Sequence, residues 1–201
     1  MSVLRLTHCL AWRRGWGTLR IATSWVGRLI GRLAVATPLT EDELVDLFRR
    51  LGAPSPEEWA DSQVTEGIPQ FARFLFLKQA WSNDVPEGST AWIENAIRSA
   101  QARPNDPYAG LGAALARCKA AGASPDDLTE IARCVQAELL FAIAYLLEGP
   151  PDDRDIDVDV SWGLFETDQH GHPTTYRIGD LHESVLELDP TGREMRPRSS
   201  G

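Results

Sequence analysis

From Thr40 onward, apolar residues recur at three- and four-residue spacing between clear start and stop signals, and each such stretch predicts a helix. Leu44, Leu47, Phe48 and Leu51 form a stripe behind a Thr40–Glu43 capping box, and Gly52 ends it. Ser55-Pro56-Glu57-Glu58 supplies a cap, a proline at the first helical position and acids at the positive helix end, which opens a second helix that Gly67 stops. Pro69 opens a third, with Phe71, Phe74, Leu75, Phe76 and Trp81 as core and Arg73, Lys78 and Gln79 as its polar side. Two more are expected, one from Ser89 with Trp92, Ile93 and Ile97, the other from Asp106-Pro107 to Gly122 with Leu111, Leu115 and Cys118 inward. The last opens at Ser124-Pro125 and ends at Gly149-Pro150. Its first half has a single stripe, Leu128, Ile131 and Val135; beyond Glu138 it is apolar on every side, which predicts a helix running through the centre.

After Pro151 the period changes. Val158, Val160, Trp162 and Leu164 alternate with Asp157, Asp159, Ser161 and Gly163, the pattern of a strand that buries its apolar face and wets its aspartates. A turn at Gln169 to Pro173 and a second strand at Thr175 to Ile178 complete a hairpin. Leu181, Val185 and Leu188 suit a short docking turn or helix, and Asp189 to Gly201 read as an exposed tail. The expected fold is mainly α (α+β): a compact multi-helix bundle of about six helices with a C-terminal β-hairpin and a basic N-terminal arm. Its segments are an arm at 1–39, a helical domain at 40–149, and an acidic turn, hairpin and tail at 150–201.

Charge sharpens that division. No Asp or Glu precedes Glu41, whereas Arg5, Arg13, Arg14, Arg20, Arg28 and Arg32 do, so all 29 acids share the rest of the chain with only 14 bases. A body this negative repels nucleic acid and anionic membranes. In the arm, Arg20, Arg28 and Arg32 form one stripe, away from which Leu19, Trp25, Val26, Leu29, Ile30 and Leu33 gather, a basic amphipathic helix. Three readings of it stand: a helix for a partner or a membrane surface, a targeting segment with Arg13-Arg14 and the cleavage-like Ala34-Val35-Ala36, or a dispensable stretch before a start near Val35 or Leu39. Arg supplies eighteen of the twenty bases, which suits a GC-rich bacterial genome.

Cys9, Cys118 and Cys134 are odd in number and form no C-x-x-C pair; Cys118 and Cys134 sit about 9 Å out of step in the predicted helical hairpin, so no disulfide between them is expected. Free thiols suit a reducing compartment, the cytoplasm. The longest uncharged apolar run, Leu139 to Leu147, has about half the length of a membrane span.

The sharpest polar feature is Asp152, Asp153, Asp155, Asp157 and Asp159. From Asp155, oxygen ligands fall at the spacing of an EF-hand calcium loop, with Glu166 at its last position, but Val160 stands where that loop needs glycine. The strand reading therefore prevails, and neither metal nor cofactor is expected. No P-loop, dinucleotide fingerprint, G-x-S-x-G or zinc-finger spacing occurs. The expected function is a non-catalytic acidic helical protein-binding module, adaptor or immunity/inhibitor-like, meeting a basic protein partner through Asp152, Asp153, Asp155, Asp157 and Asp159. The alternative is a metal-dependent hydrolase in which Asp155, Asp157 and Asp159, with Glu166, His170 or His172, hold a metal that activates water.

Overall fold

In the computed structural model the described residues are 39–149 and 161–198. The arm with its basic amphipathic helix, Cys9, the two prolines 150 and 151, the five aspartates from Asp152 to Asp159, and the strand positions Val158 and Val160 lie outside them. The protein is mainly α: six helices and a two-stranded antiparallel hairpin occupy the described residues. These residues fall into two compact units, 88–129 and the remainder.

In the larger unit, α1 (Glu41–Leu51), α2 (Pro56–Glu66) and α3 (Gln70–Trp81) come first. The capping box that opens α1 is formed: the Glu43 N–H donates to Thr40 Oγ1, and Glu43 Oε2 accepts from the Thr40 N–H at 2.9 Å. The Thr40 N–H, with its hydroxyl, holds the Glu43 carboxyl below its ordinary range. Gly52 closes the helix at φ 76°, a conformation that side-chain-bearing residues resist. Leu44, Leu47 and Phe48 are buried, and Phe48 meets Phe71 and Phe74 edge-on, each at 5.5 Å between ring centroids. α2 begins at Pro56 as predicted, but the Ser55 hydroxyl caps nothing; Ser55 is left-handed, and its carbonyl accepts from Glu58 and Trp59.

α3 buries Phe74, Leu77 and Trp81. Arg73, predicted to face solvent, is buried with them, because its guanidinium donates to the Asp180 carbonyl, lies 3.7 Å from Glu183 and faces the Trp59 ring at 6.0 Å. Leu77 and Trp81 join Ala137, Leu140 and Ala144 of α6 (Pro125–Leu147) and Ile178, Leu181 and Val185 in one core cluster. The Trp81 indole donates to the Val185 carbonyl at 2.9 Å.

The hairpin pairs β1 (Phe165–Thr167) with β2 (Pro173–Arg177). Among the described residues the first strand is confined to 165–167, and 161–164, expected to belong to it, are irregular. At the turn end the Asp168 N–H bonds the His172 carbonyl, at the far end the Ile178 N–H bonds the Leu164 carbonyl, and the register shifts between Phe165 and Thr167. Leu164 is partly buried as predicted, but Trp162 is exposed. A 3₁₀ turn at Leu181–Ser184 then drives Leu181 and Val185 fully into the core, as their spacing implied. The expected exposed tail is instead folded back as far as the described residues go, since Asp189 is buried against Arg133.

In the smaller unit, α4 (Ala91–Ala102) and α5 (Ala109–Ala120) pack closely. Trp92, Ile93, Ile97 and Leu115 are buried. The helices touch at Gly112, where a methyl group would collide with the Ala96 carbonyl and Ala100 Cβ. Because the contact runs through Gly112 and Leu115, Leu111 is exposed and Cys118 only partly buried, which corrects the inward stripe predicted for this helix. The helix also starts later than Asp106, after a left-handed Tyr108. The Trp92 indole donates to Thr129 Oγ1 at 3.0 Å, and Lys119 pairs with Glu94 at 2.5 Å.

Candidate functional site

The polar residues singled out in the sequence do not converge among the described residues. Asp152, Asp153, Asp155, Asp157 and Asp159 lie outside them. Glu166 sits on β1, half-buried, and burial pushes its carboxyl above the ordinary range. His170 and His172 occupy the exposed hairpin turn, 6.2 Å apart between rings, and the acid they meet is Asp168. Asp168 Oδ1 accepts the His170 and His172 N–H groups at 2.7 and 3.0 Å, and these bonds, His172 foremost, hold its carboxyl below its usual range. That is turn chemistry. Among the described residues no three His, Cys, Asp or Glu side chains stand where they could share a metal ion.

The feature that stands out is α6. Ser124 opens it by accepting the Asp127 N–H, and from Glu130 onward the helix belongs to the larger unit. Its inner face there is Arg133, Ala137, Leu140 and Ala144, all buried. Turned away from that face, at steps of four, four and seven residues, are Ile131, Val135, Leu139 and Leu146, exposed at 61, 57, 58 and 51%. Phe141, Ile143 and Tyr145 are exposed as well. The sequence had placed the Ile131–Val135 stripe inward and the second half at the centre; the structure reverses the first and leaves one side of the second uncovered. Trp162 extends this surface: its indole N–H donates to the Leu146 carbonyl at 2.6 Å, which holds a half-exposed ring at the end of the row.

An ionic network explains why an arginine, and not the isoleucine two residues before it, faces inward. Arg133 pairs with Asp189 at 3.1 Å and donates to the Val85 carbonyl at 3.0 Å, with both charged side chains nearly inaccessible. Burial alone would raise the Asp189 carboxyl, but bonds from the Thr191 hydroxyl and N–H and the Met195 N–H, together with the Arg133 charge, hold it below the ordinary range. Beside it, burial lifts Asp84 to about 6, with Arg133 opposing and Asp189 reinforcing the shift. Further along, Arg193 and Arg198 each reach both Glu87 and Glu130, pinning the C-terminal stretch to the rim. Once Arg133 and Glu130 are committed to these partners, rotation about the helix axis is fixed, and Ile131, Val135 and Leu139 can only point outward.

Near the C-terminal end of α6, His182 Nδ1 lies 2.6 Å from Glu148, with Phe141 and Tyr145 edge-on to the imidazole at 5.6 and 5.3 Å. This dyad carries no nucleophile within the bonds it makes, and it serves to fasten the 3₁₀ turn to the helix end. The neighbouring recess of 410 Å³ is lined by Ile68, Pro69, Tyr176, Arg177 and Asp180. Arg177 and Asp180 are exposed there, so solvent screens both charges.

No family model, curated protein or solved structure matches this chain. Among the described residues no helix is long and apolar enough to cross a membrane. The outer face of α6 is therefore the surface on which a functional reading has to rest. Its one signal in the sequence was a helix apolar all round, since a helix that meets neighbours on one side alone then leaves an apolar side uncovered.

Proposed function

We propose that this protein is a non-catalytic acidic protein-binding module of the cytoplasm, adaptor or immunity/inhibitor-like, that takes a basic protein partner on the outer face of α6. The observation that carries this reading is the row Ile131, Val135, Leu139 and Leu146, each more than half exposed on a helix whose opposite face is core. Contiguous apolar surface of this kind marks places where proteins associate. Covering the exposed parts of these side chains is worth about 1 kcal/mol each, enough to support an interface once an aromatic anchor such as Trp162 is added. The charge supports a basic partner: the chain from Glu41 on holds 29 acids against 14 bases, and Asp152, Asp153, Asp155, Asp157 and Asp159 follow α6 in sequence, where they would speed the approach of a cation-rich surface. Free Cys118 and Cys134 support a reducing compartment.

The test is affinity capture with the wild-type chain and with an Ile131→Asp/Leu139→Asp double variant, at low and high salt, followed by titration of the captured protein after purification. We expect one basic partner whose affinity falls with salt and drops by about tenfold or more in the variant. A partner bound equally by both forms, or none at all, overturns the reading.

A further inference from the structure

We infer that the element seated on the outer face of α6 is an amphipathic helix of the partner, apolar on one side and edged with Lys or Arg. The inference rests on the protein-binding reading above and specifies what kind of surface fits. Its first ground is shape. Ile131, Val135, Leu139 and Leu146 form a straight row about 22 Å long on a convex helical surface, and rows at four-residue spacing are the ridges that interlock with the grooves of another helix. A strand or loop laid there would turn its backbone N–H and C=O groups toward aliphatic carbon without partners, whereas a helix satisfies its own.

The second ground is charge. Between Glu130 and Leu147 the only base is Arg133, which is buried and paired with Asp189. Glu130 is held by Arg193 and Arg198, which leaves the exposed Glu138, beside Leu139, as the acid bordering the row. Among the described residues Glu138 makes no ion pair. A second copy packed face to face along this stretch of α6 would bring acid toward acid with no free base between its Glu130 and Leu147 to answer it, and an anionic membrane would meet the same repulsion. A helix with basic residues along its edge meets Glu138 with opposite sign. The third ground is preorganisation: Trp162, tied by its indole to the Leu146 carbonyl, holds a ring in place for one end of such a helix before it arrives.

The experiment titrates the full chain with a synthetic Leu/Lys amphipathic helix of about 18 residues, long enough to cover the row, with the same peptide carrying Glu for Lys, and with a peptide copying residues 16–36 of this chain. Fluorescence anisotropy reads binding, and sedimentation reads self-association. We expect the Lys peptide to bind, the Glu peptide to bind at least about tenfold more weakly, and Leu139→Asp to weaken the Lys peptide by a similar factor. Glu138→Lys, at an exposed position, should narrow the Lys-over-Glu preference while leaving the fold unchanged by circular dichroism. Equal binding of the two peptides, binding untouched by Leu139→Asp, a dimer that Leu139→Asp dissolves, or a markedly tighter grip on the 16–36 peptide would each overturn the inference, the last two by placing a second copy or the chain's own arm on the face. If the captured partner is still lost in the double variant while the Lys peptide fails to bind, the protein-binding reading stands and the helical partner falls; if neither responds, both fall.

Discussion

α1 and α6 each carry an apolar stripe, yet only one of them could be oriented from its pattern. In α1, every position outside the Leu44–Leu47–Phe48–Leu51 stripe except Val45 is an acid or an arginine, so one side is marked for burial, and Leu44, Leu47 and Phe48 are buried. In α6, aliphatic residues lie on both sides, and the side that enters the core contains an arginine and two alanines while Ile131, Val135 and Leu139 stay in water. Periodicity locates a buried face only where the other face is polar. Where it is not, the choice passes to side-chain volume and to charge partners elsewhere in the chain.

Mutations can break this comparison at several strengths. Phe48→Ala, which removes a fully buried ring from the cluster with Trp59, Phe71 and Phe74, should cost about 3–5 kcal/mol in denaturant unfolding. Arg133→Ala on the inner face of α6 should cost about 3 kcal/mol or more, because Asp189 is left as a buried carboxylate without its cation. A milder loss from Arg133→Ala than from an ordinary surface change would mean that α6 is free to rotate. Gly112→Ala, where α4 and α5 touch, should destabilise by about 1–3 kcal/mol through overpacking.

Asp84→Asn sharpens the electrostatic side of the comparison. A carboxyl raised from 3.8 to about 6 binds its proton more tightly when folded, so its stabilising contribution is present below 3.8 and is lost as pH climbs through 6. Asparagine abolishes that loss, and the variant should be more stable than the wild type at pH 7 by about 1 kcal/mol after allowing for solvent screening, the gap closing as pH falls toward 4 in parallel unfolding titrations. The smallest effect is expected on the outer face: Leu139→Ser should change unfolding free energy by no more than about 0.5 kcal/mol, since it removes exposed surface. A loss as large as that of Phe48→Ala would show that Leu139 is core and that the proposed contact surface does not exist.

Much of the backbone was legible beforehand for identifiable reasons. The Thr40–Glu43 box, the proline at the start of α2, Ser124 before α6, and glycines 52 and 67 act through bonds within a few residues, so their effect survives in any fold. The hairpin was expected too, but 161–164, read as part of its first strand, are irregular, and the register shifts between Phe165 and Thr167, a bulge that side-chain alternation does not announce. Arg73 and Asp189 were misplaced outside the core for a related reason. Their burial depends on the Asp180 carbonyl and on Arg133, partners 107 and 56 residues away in the chain.

By itself the amino-acid sequence determined which stretches are helical, where most of them begin and end, and that the body is strongly acidic, because propensity, capping and charge are properties of near neighbours. Only the tertiary structure decided which side of α6 meets water. That choice turns on whether Arg133 finds Asp189 and Val85 across the fold, and no local pattern records the answer.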